Sequence, residues 1–533
     1  MRASALVPAL VLALAACGPA GGAPAGGQPG GQPGAALGEV DFPTSAGPEA
    51  QAHFLRGVAA LHSFWYDEAA DAFRAAGEAE PGFAFAAWGE AMTCNHPIWD
   101  EVDAGCGREA LGRLGPTPEA RAEKAATDRE RAWLAAVETL FAEEGDKAER
   151  DRAYERAMAG LAAERPDDLE AAAFHALAIQ GLVYGRAADE AQRFALLMRS
   201  AARLEELFDR APRHPGVLHY LIHAYDDPVH APLGLRAART YAEVAPAAHH
   251  ALHMPSHIFV QLGLWDRAAA SNEDAWAASV AWTERRDLPL AKRDFHSLGW
   301  LAYAYLQQGR LAKARETIAV AREAAAAEDS PRIRHALGDM TARYRVETGE
   351  APPGGLPEPG EHAADAALFA HGLAALDRGD PDAARELAGR LEELDDREGR
   401  VLAEELYGLA AIAAGDPEGG LARIARAAEL ESELPPPSGP PDPVKPALEL
   451  HGEALLRLGR PAEAAERFAA SLARTPRRTA SLLGAARAAA AAGDAAAARR
   501  HRQTLAEIWA EADESFAPLA ELAAVAEDAA PGR

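Results

Sequence analysis

The sequence predicts an all-α solenoid built from antiparallel helix-turn-helix pairs, and three observations predict it. Alanine, leucine, glutamate and arginine dominate the 533 residues while valine and isoleucine are sparse, a composition that favours helix. Apolar positions recur with a 34-residue period in several independent frames. Gly-Arg or Gly-Asp turns separate paired segments at Gly309-Arg310, Gly379-Asp380, Gly415-Asp416, Gly459-Arg460 and Gly493-Asp494.

The amino-terminal residues stand apart from that pattern. Met1-Arg2 precedes an apolar run from Ala3 to Ala16, interrupted only by Ser4 and Pro8. One charge followed by a short apolar stretch reads as a secretory signal, and the stretch is shorter than the roughly 20 residues a membrane-spanning helix needs. Leu14-Ala15-Ala16-Cys17 resembles the bacterial lipobox, in which cleavage precedes a cysteine that then carries lipid. An ordinary signal peptide with a chance cysteine is the alternative. Gly18 is not Asp, so the resemblance implies no inner-membrane retention signal. The expected anatomy is a signal peptide over 1–16 and a Gly/Pro-rich flexible tether over 17–40. That places the mature protein in the bacterial cell envelope, with the lipid bilayer as partner through Cys17, at the outer membrane and facing the periplasm.

Lys+Arg 54 against Asp+Glu 81 gives a net charge of −27, which argues against nucleic acid as a partner. Besides Cys17, only Cys94 and Cys106 remain. An exported chain permits a disulfide between them, and two free buried thiols are the alternative.

The repeat frames can be taken in order. A frame opening at Ala50 places Gly57, Ala69, Phe73, Ala76 and Pro81, and one opening at Phe295 places Leu298, Leu301, Tyr305, Ala314, Ile318 and Ala321. A frame at Lys445 places Leu448, Gly452, Leu455, Ala464, Phe468 and Pro476, and the next, at Thr479, places Leu482, Ala486, Gly493 and Ala498. These positions resemble the tetratricopeptide repeat, which implies a right-handed superhelix with a concave ligand-binding groove. The phasing breaks near residues 95–150, 348–362 and 434–446. The expected blocks are a helical block with a His-rich groove over 41–347, a linker over 348–362 and repeats over 363–433. A Pro-rich linker over 434–446 and terminal repeats over 447–533 complete the chain.

The histidines carry the functional signal. Eight of the chain's 18 fall between His214 and His257. His219 and His223 are four apart, His253 and His257 are four apart, and the second pair follows the first by one 34-residue repeat. In frames opening at Pro215 and His249 both pairs occupy positions 5 and 9 of the first helix. His250, and His296 in the Phe295 frame, fall at position 2, and Asp226 falls at position 12. Positions 2, 5, 9 and 12 form one helical stripe, which in tetratricopeptide-like proteins lines the groove.

Two neighbouring helices, each offering an i,i+4 imidazole pair, can surround one ion. The expectation is therefore one transition metal, Zn or Cu, held by His219, His223, His253 and His257. His250, His296 and Asp226 extend the site as extra ligands, orienting groups or proton carriers. A groove recognising an acidic or aromatic ligand through imidazoles, and plain core or capping roles, are the other readings. His214, His230 and His249 lie off the stripe.

His219-Tyr-Leu-Ile-His223 lacks the glutamate that a zinc-protease helix carries after its first histidine. A hydrolytic or redox metalloenzyme remains open, with Asp226 or Glu273 as base. So does a scaffold whose groove holds a peptide or protein partner. Tyr66 and Trp88 read as core aromatics, while His96 and Asp100 stand near the groove. The stretch from His214 through Pro228, the run His250-Ala-Leu-His253-Met-Pro-Ser-His257-Ile-Phe259, Trp88-Gly-Glu-Ala-Met92 and Asn95-His-Pro-Ile-Trp99 together resemble a group of bacterial tetratricopeptide-repeat lipoproteins. That resemblance spans about residues 50–310 and implies no defined reaction.

Overall fold

The computed structural model describes residues 36–184, 190–359, 365–394 and 396–522. The signal segment, Cys17 and nearly all of the tether lie outside the described residues.

The chain is an all-α stack of paired helices. Pro215–Ala224 pairs with Ala231–Val244, Phe295–Gln307 with Leu311–Ala327, Ala447–Arg457 with Pro461–Arg474 and Thr479–Ala491 with Ala495–Ile508. The pairs turn at the glycine signals. Gly263, Gly309, Gly459 and Gly493 all take left-handed φ values of 61°, 67°, 71° and 85°. The next N–H then reaches back five residues, from Leu264 to Phe259 O at 2.8 Å and from Arg310 to Tyr305 O at 2.9 Å. This closes the helix carbonyls that would otherwise be orphaned. Asp380, Asp416 and Asp494 follow their glycines and cap the next helix, each accepting from a backbone N–H three residues on.

Repeat positions also dictate the packing. A Cβ on Gly57 would lie 2.6 Å from the Phe73 ring, and one on Gly452 would lie 2.9 Å from the Phe468 ring. The ring of the second helix therefore beds directly on the bare backbone of the first. The phase break after residue 95 is a short antiparallel hairpin, Asn95–His96 against Glu101–Val102, followed by three extra helices, Ala104–Leu114, Pro118–Ala122 and Asp128–Leu140. Cys94 and Cys106 are joined as a disulfide across this excursion, with Cα atoms 5.9 Å apart. Trp88 is fully buried among Phe42, Phe54, Phe85, Trp133 and Phe174.

The last repeats fold back onto the first block. Leu482, Leu505, Ile508 and Trp509 belong to the same apolar core as Leu37 to Tyr344. Gln307 fixes the junction, accepting from the Thr479 N–H at 2.9 Å on its side chain and from Trp509 Nε1 at 3.0 Å on its carbonyl. Arg478 is buried there between Glu449 and Glu347. The Pro-rich stretch read as a linker packs against the histidine-bearing block. Gln261 Nε2 donates to Pro437 O at 2.7 Å, and Arg343 donates to Pro441 O at 2.8 Å. A Cβ on Gly439 would lie 2.3 Å from the Trp300 indole, so the loop backbone rests on that ring.

Candidate metal centre

The histidine-bearing first helices are Pro215–Ala224, His249–His253 continued by Pro255–Gln261, and Phe295–Gln307. Pro255 has no N–H to donate, which interrupts the ladder of the second helix. Met254 at φ −53° and ψ −36° keeps the chain helical through it, so His253 and His257 still lie one turn apart on one face.

The structure groups the imidazoles differently from the expected tetrad. His219, His223 and His250 offer ligand atoms that all lie within 4.8 Å of one another, and so do His253, His257 and His296. Each triad takes positions 5 and 9 of one helix and position 2 of the next. Position 2 lies one turn nearer the N-terminus, and that offset lets His250 reach back to the preceding helix, its ring 5.0 Å from that of His219. His296 likewise comes 4.8 Å from His253. The two i,i+4 pairs approach each other at His223 and His257, ring to ring at 5.9 Å. The four expected imidazoles thus fall into two groups of three, completed by His250 and His296.

Within each pair the Nε2 atoms face each other at 3.1 Å, for His219 with His223 and for His253 with His257. The outer nitrogens are anchored. His219 Nδ1 donates to His62 O at 2.7 Å, His253 Nδ1 meets Asn272 Oδ1 at 2.6 Å, and His257 Nδ1 meets Asp226 Oδ2 at 2.6 Å. A carbonyl or carboxylate on Nδ1 fixes the tautomer that leaves the Nε2 lone pair free, the usual arrangement behind a metal-ligating histidine. His250 Nε2 is buried and has no hydrogen-bond partner. A buried polar atom without a partner is costly, and a metal ion is a partner that suits it. The residues present therefore fit a transition metal.

Asp226 orients His257 and also accepts from Gln261 Nε2 at 3.3 Å, so both its oxygens are engaged and it is not placed as a free base. Glu273 is not a base for this site either. It is exposed, accepts from the Tyr305 hydroxyl and pairs with Lys313.

Burial sets the protonation state. It pushes the His219 imidazole down to about 3 and holds His223, His250 and His253 well below the ordinary value, with neighbouring imidazoles adding to the effect in His223 and His250. His296 is lowered too, by desolvation of its ring, although the residue is exposed toward the cavity. Neutral imidazoles are the form that binds metal.

Two aromatic rings cover the triads. Phe64 lies 4.2 Å from His219, 6.0 Å from His223 and 5.8 Å from His250. Trp300 lies 4.9 Å from His253, 4.4 Å from His257 and 5.4 Å from His296. Neither was singled out in the sequence, although Phe64 carries a legible signal. In the frame opening at Ala50 it falls at position 15, where Gly263, Gly309, Gly459 and Gly493 stand. Phe64 takes their left-handed conformation, φ 51°, and Trp65 N reaches back to Ala60 O at 3.0 Å as in the glycine turns. Tyr66, read as core, is half-buried and stacks on Phe64 at 5.7 Å and on His96 at 4.0 Å.

The remaining residues lie outside the triads. His96 bonds Thr93 O, and Asp100 pairs with Lys147. His249 pairs with Asp294, His230 with Asp227 and His214 with Glu170. A cavity of about 1000 Å³ opens beside the centre, lined by His223 of one triad and His296 of the other, with Asp226, Trp300, Arg332 and Arg343.

Fold and site together define a tetratricopeptide-like solenoid carrying a histidine cluster. No protein-family model and no curated protein matches the chain. Among solved structures, the APC/C hetero-tetramer Cut9–Hcn1 aligns at TM-score 0.35 and 11% identity over 89% of this chain and 75% of that one. A human IFIT1 dimer with m7Gppp-AAAA aligns at TM-score 0.31 and 14% identity over 88% and 92%.

Proposed function

We propose that this protein binds transition-metal ions through His219, His223 and His250 and through His253, His257 and His296, and that the bound metal meets a small ligand in the adjoining cavity. The observation that carries this reading is the pairing of inward Nε2 atoms with anchored Nδ1 atoms at His219, His253 and His257. Zinc and copper are the ions that best suit such imidazoles. Bound metal supplies Lewis acidity to whatever ligand enters, and the chain's own part is to orient the imidazoles and to keep water off their backs with Phe64 and Trp300. Lipid on Cys17 would hold this centre at the cell envelope.

A second reading, a scaffold for a peptide or protein partner, draws on the size of the cavity. Untagged protein, stripped with a chelator and titrated with Zn²⁺ or Cu²⁺, separates the two. The metal reading expects uptake that is abolished when all six histidines are replaced, with helical content retained. Absence of uptake by the native protein sinks it and leaves the scaffold.

A further inference from the structure

The two triads are closer than two independent sites need to be. His223 faces His257 ring to ring at 5.9 Å, and His250 faces His253 at 6.0 Å, so two edges of one triad adjoin the other. Each ion would sit about 2 Å from its three nitrogens, in the space between these facing rings. Two metals bridged by one small ligand lie roughly 3.5–4 Å apart, and rings facing each other this closely would make the two ions neighbours. His223 and His296 open onto the same cavity, so a single ligand entering there reaches both positions.

The donor set is all imidazole. Each triad is three histidines, with no thiolate or carboxylate among its members. The nearest carboxylates act from behind. Asp226 bonds His257 Nδ1, and Asp294 bonds His249 Nδ1 and the Ser297 hydroxyl. Zinc also takes three imidazoles with a fourth position left open for a small ligand, so the choice of ion turns on affinity. Copper(II) takes imidazole nitrogens readily, in square-planar or tetragonal sets. Imidazole donors also favour the ion with the strongest intrinsic affinity for nitrogen, and among divalent first-row ions that is copper.

We infer that the six histidines hold a coupled pair of copper ions, one per triad, bridged by a small anion that enters from the cavity. In plain buffer that anion is hydroxide, formed when a water bound between the two Cu²⁺ ions loses one proton to solvent. No electron is transferred in this step. The inference rests on the metal reading above and goes beyond it in stoichiometry, ion and coupling.

The test is to load the chelator-stripped, untagged full chain with Cu²⁺, remove excess, and measure copper per chain together with the electron paramagnetic resonance signal. Two coppers per chain with a signal accounting for under a tenth of them is expected, because a shared bridge couples the spins. His223→Ala and His253→Ala, which each dismantle one triad, should each hold one copper whose signal accounts for all of it. Two coppers giving full signal would overturn the pair, and so would one copper per native chain. Either result leaves metal binding intact. No copper uptake with Zn²⁺ still taken up would overturn this inference alone, and uptake of neither ion would overturn the metal reading with it.

Discussion

Phe64 sets its ring edge-on to His219 at 4.2 Å, from a turn position that glycine holds at 263, 309, 459 and 493. A non-glycine residue in the left-handed region costs about 1–2 kcal/mol. Such strain persists only where the surroundings over-determine it. Here the surroundings are three imidazoles and Tyr66, and the strained turn is what aims the ring at the first triad.

Phe64→Gly should therefore have two opposed effects. Relief of the turn gains about 1 kcal/mol, while loss of a buried ring costs about 3–5 kcal/mol. A net destabilisation of about 2–4 kcal/mol is expected by denaturant titration. Metal release to a chelator should also be faster than in the native protein, since water gains access to the imidazoles. Unchanged release kinetics would mean that Phe64 does not shield the site.

Asp226→Asn keeps an acceptor for His257 Nδ1 but removes the charge behind it. Loss of an orienting partner of this kind typically costs 10–100-fold in metal affinity, and that is the expected drop on titration. Asp227→Asn serves as control, because Asp227 bonds His230, which belongs to neither triad. Equal losses in the two variants would reduce the Asp226 effect to the net charge of the cavity.

Glu405 offers a pH-dependent prediction away from the site. It is fully buried and neither carboxylate oxygen has a partner. Burial first, then Glu431, hold it well above the ordinary value of 4.5, with Lys445 opposing. A raised folded-state value means that its contribution is fully present below pH 4.5 and is lost as pH rises through the folded-state value. Glu405→Gln removes the titration, so the variant should gain stability over the native chain as pH rises from 4.5. The gain approaches about 1.4 kcal/mol per pH unit until the folded-state value is passed. A stability difference that stays flat from pH 4 to 8 would rule this out.

The membrane anchor is tested by Cys17→Ser. Leu14-Ala15-Ala16-Cys17 closes the apolar run, so the variant should leave the membrane fraction and appear soluble on cell fractionation. Retention in the membrane, with unchanged processing, would refute lipidation at this residue.

The sequence by itself determined the helix pairs and their turns. Repeat spacing is local information: a glycine at position 15 ends one helix, an aspartate starts the next, and both act within a few residues of themselves. It also placed all six imidazoles on one stripe, because position 2, 5 or 9 of a helix fixes which face a side chain takes. Tertiary structure alone decided which of those imidazoles meet. Spacing says that His219 and His253 are equivalent, but not that the next helix is offset enough for His250 to reach His219. The offset depends on how neighbouring helices pack, and that is set by side chains such as Ile258, against which Gly234 rests, and Phe73, against which Gly57 rests. Trp300 became a cover over the second triad only because the Pro-rich stretch, 139 residues beyond it at Gly439, came back to lie on its ring. Burial then fixed the chemistry. An isolated histidine titrates near neutrality, and packing under Phe64 and Trp300 lowers His219, His223, His250 and His253 and keeps their lone pairs available.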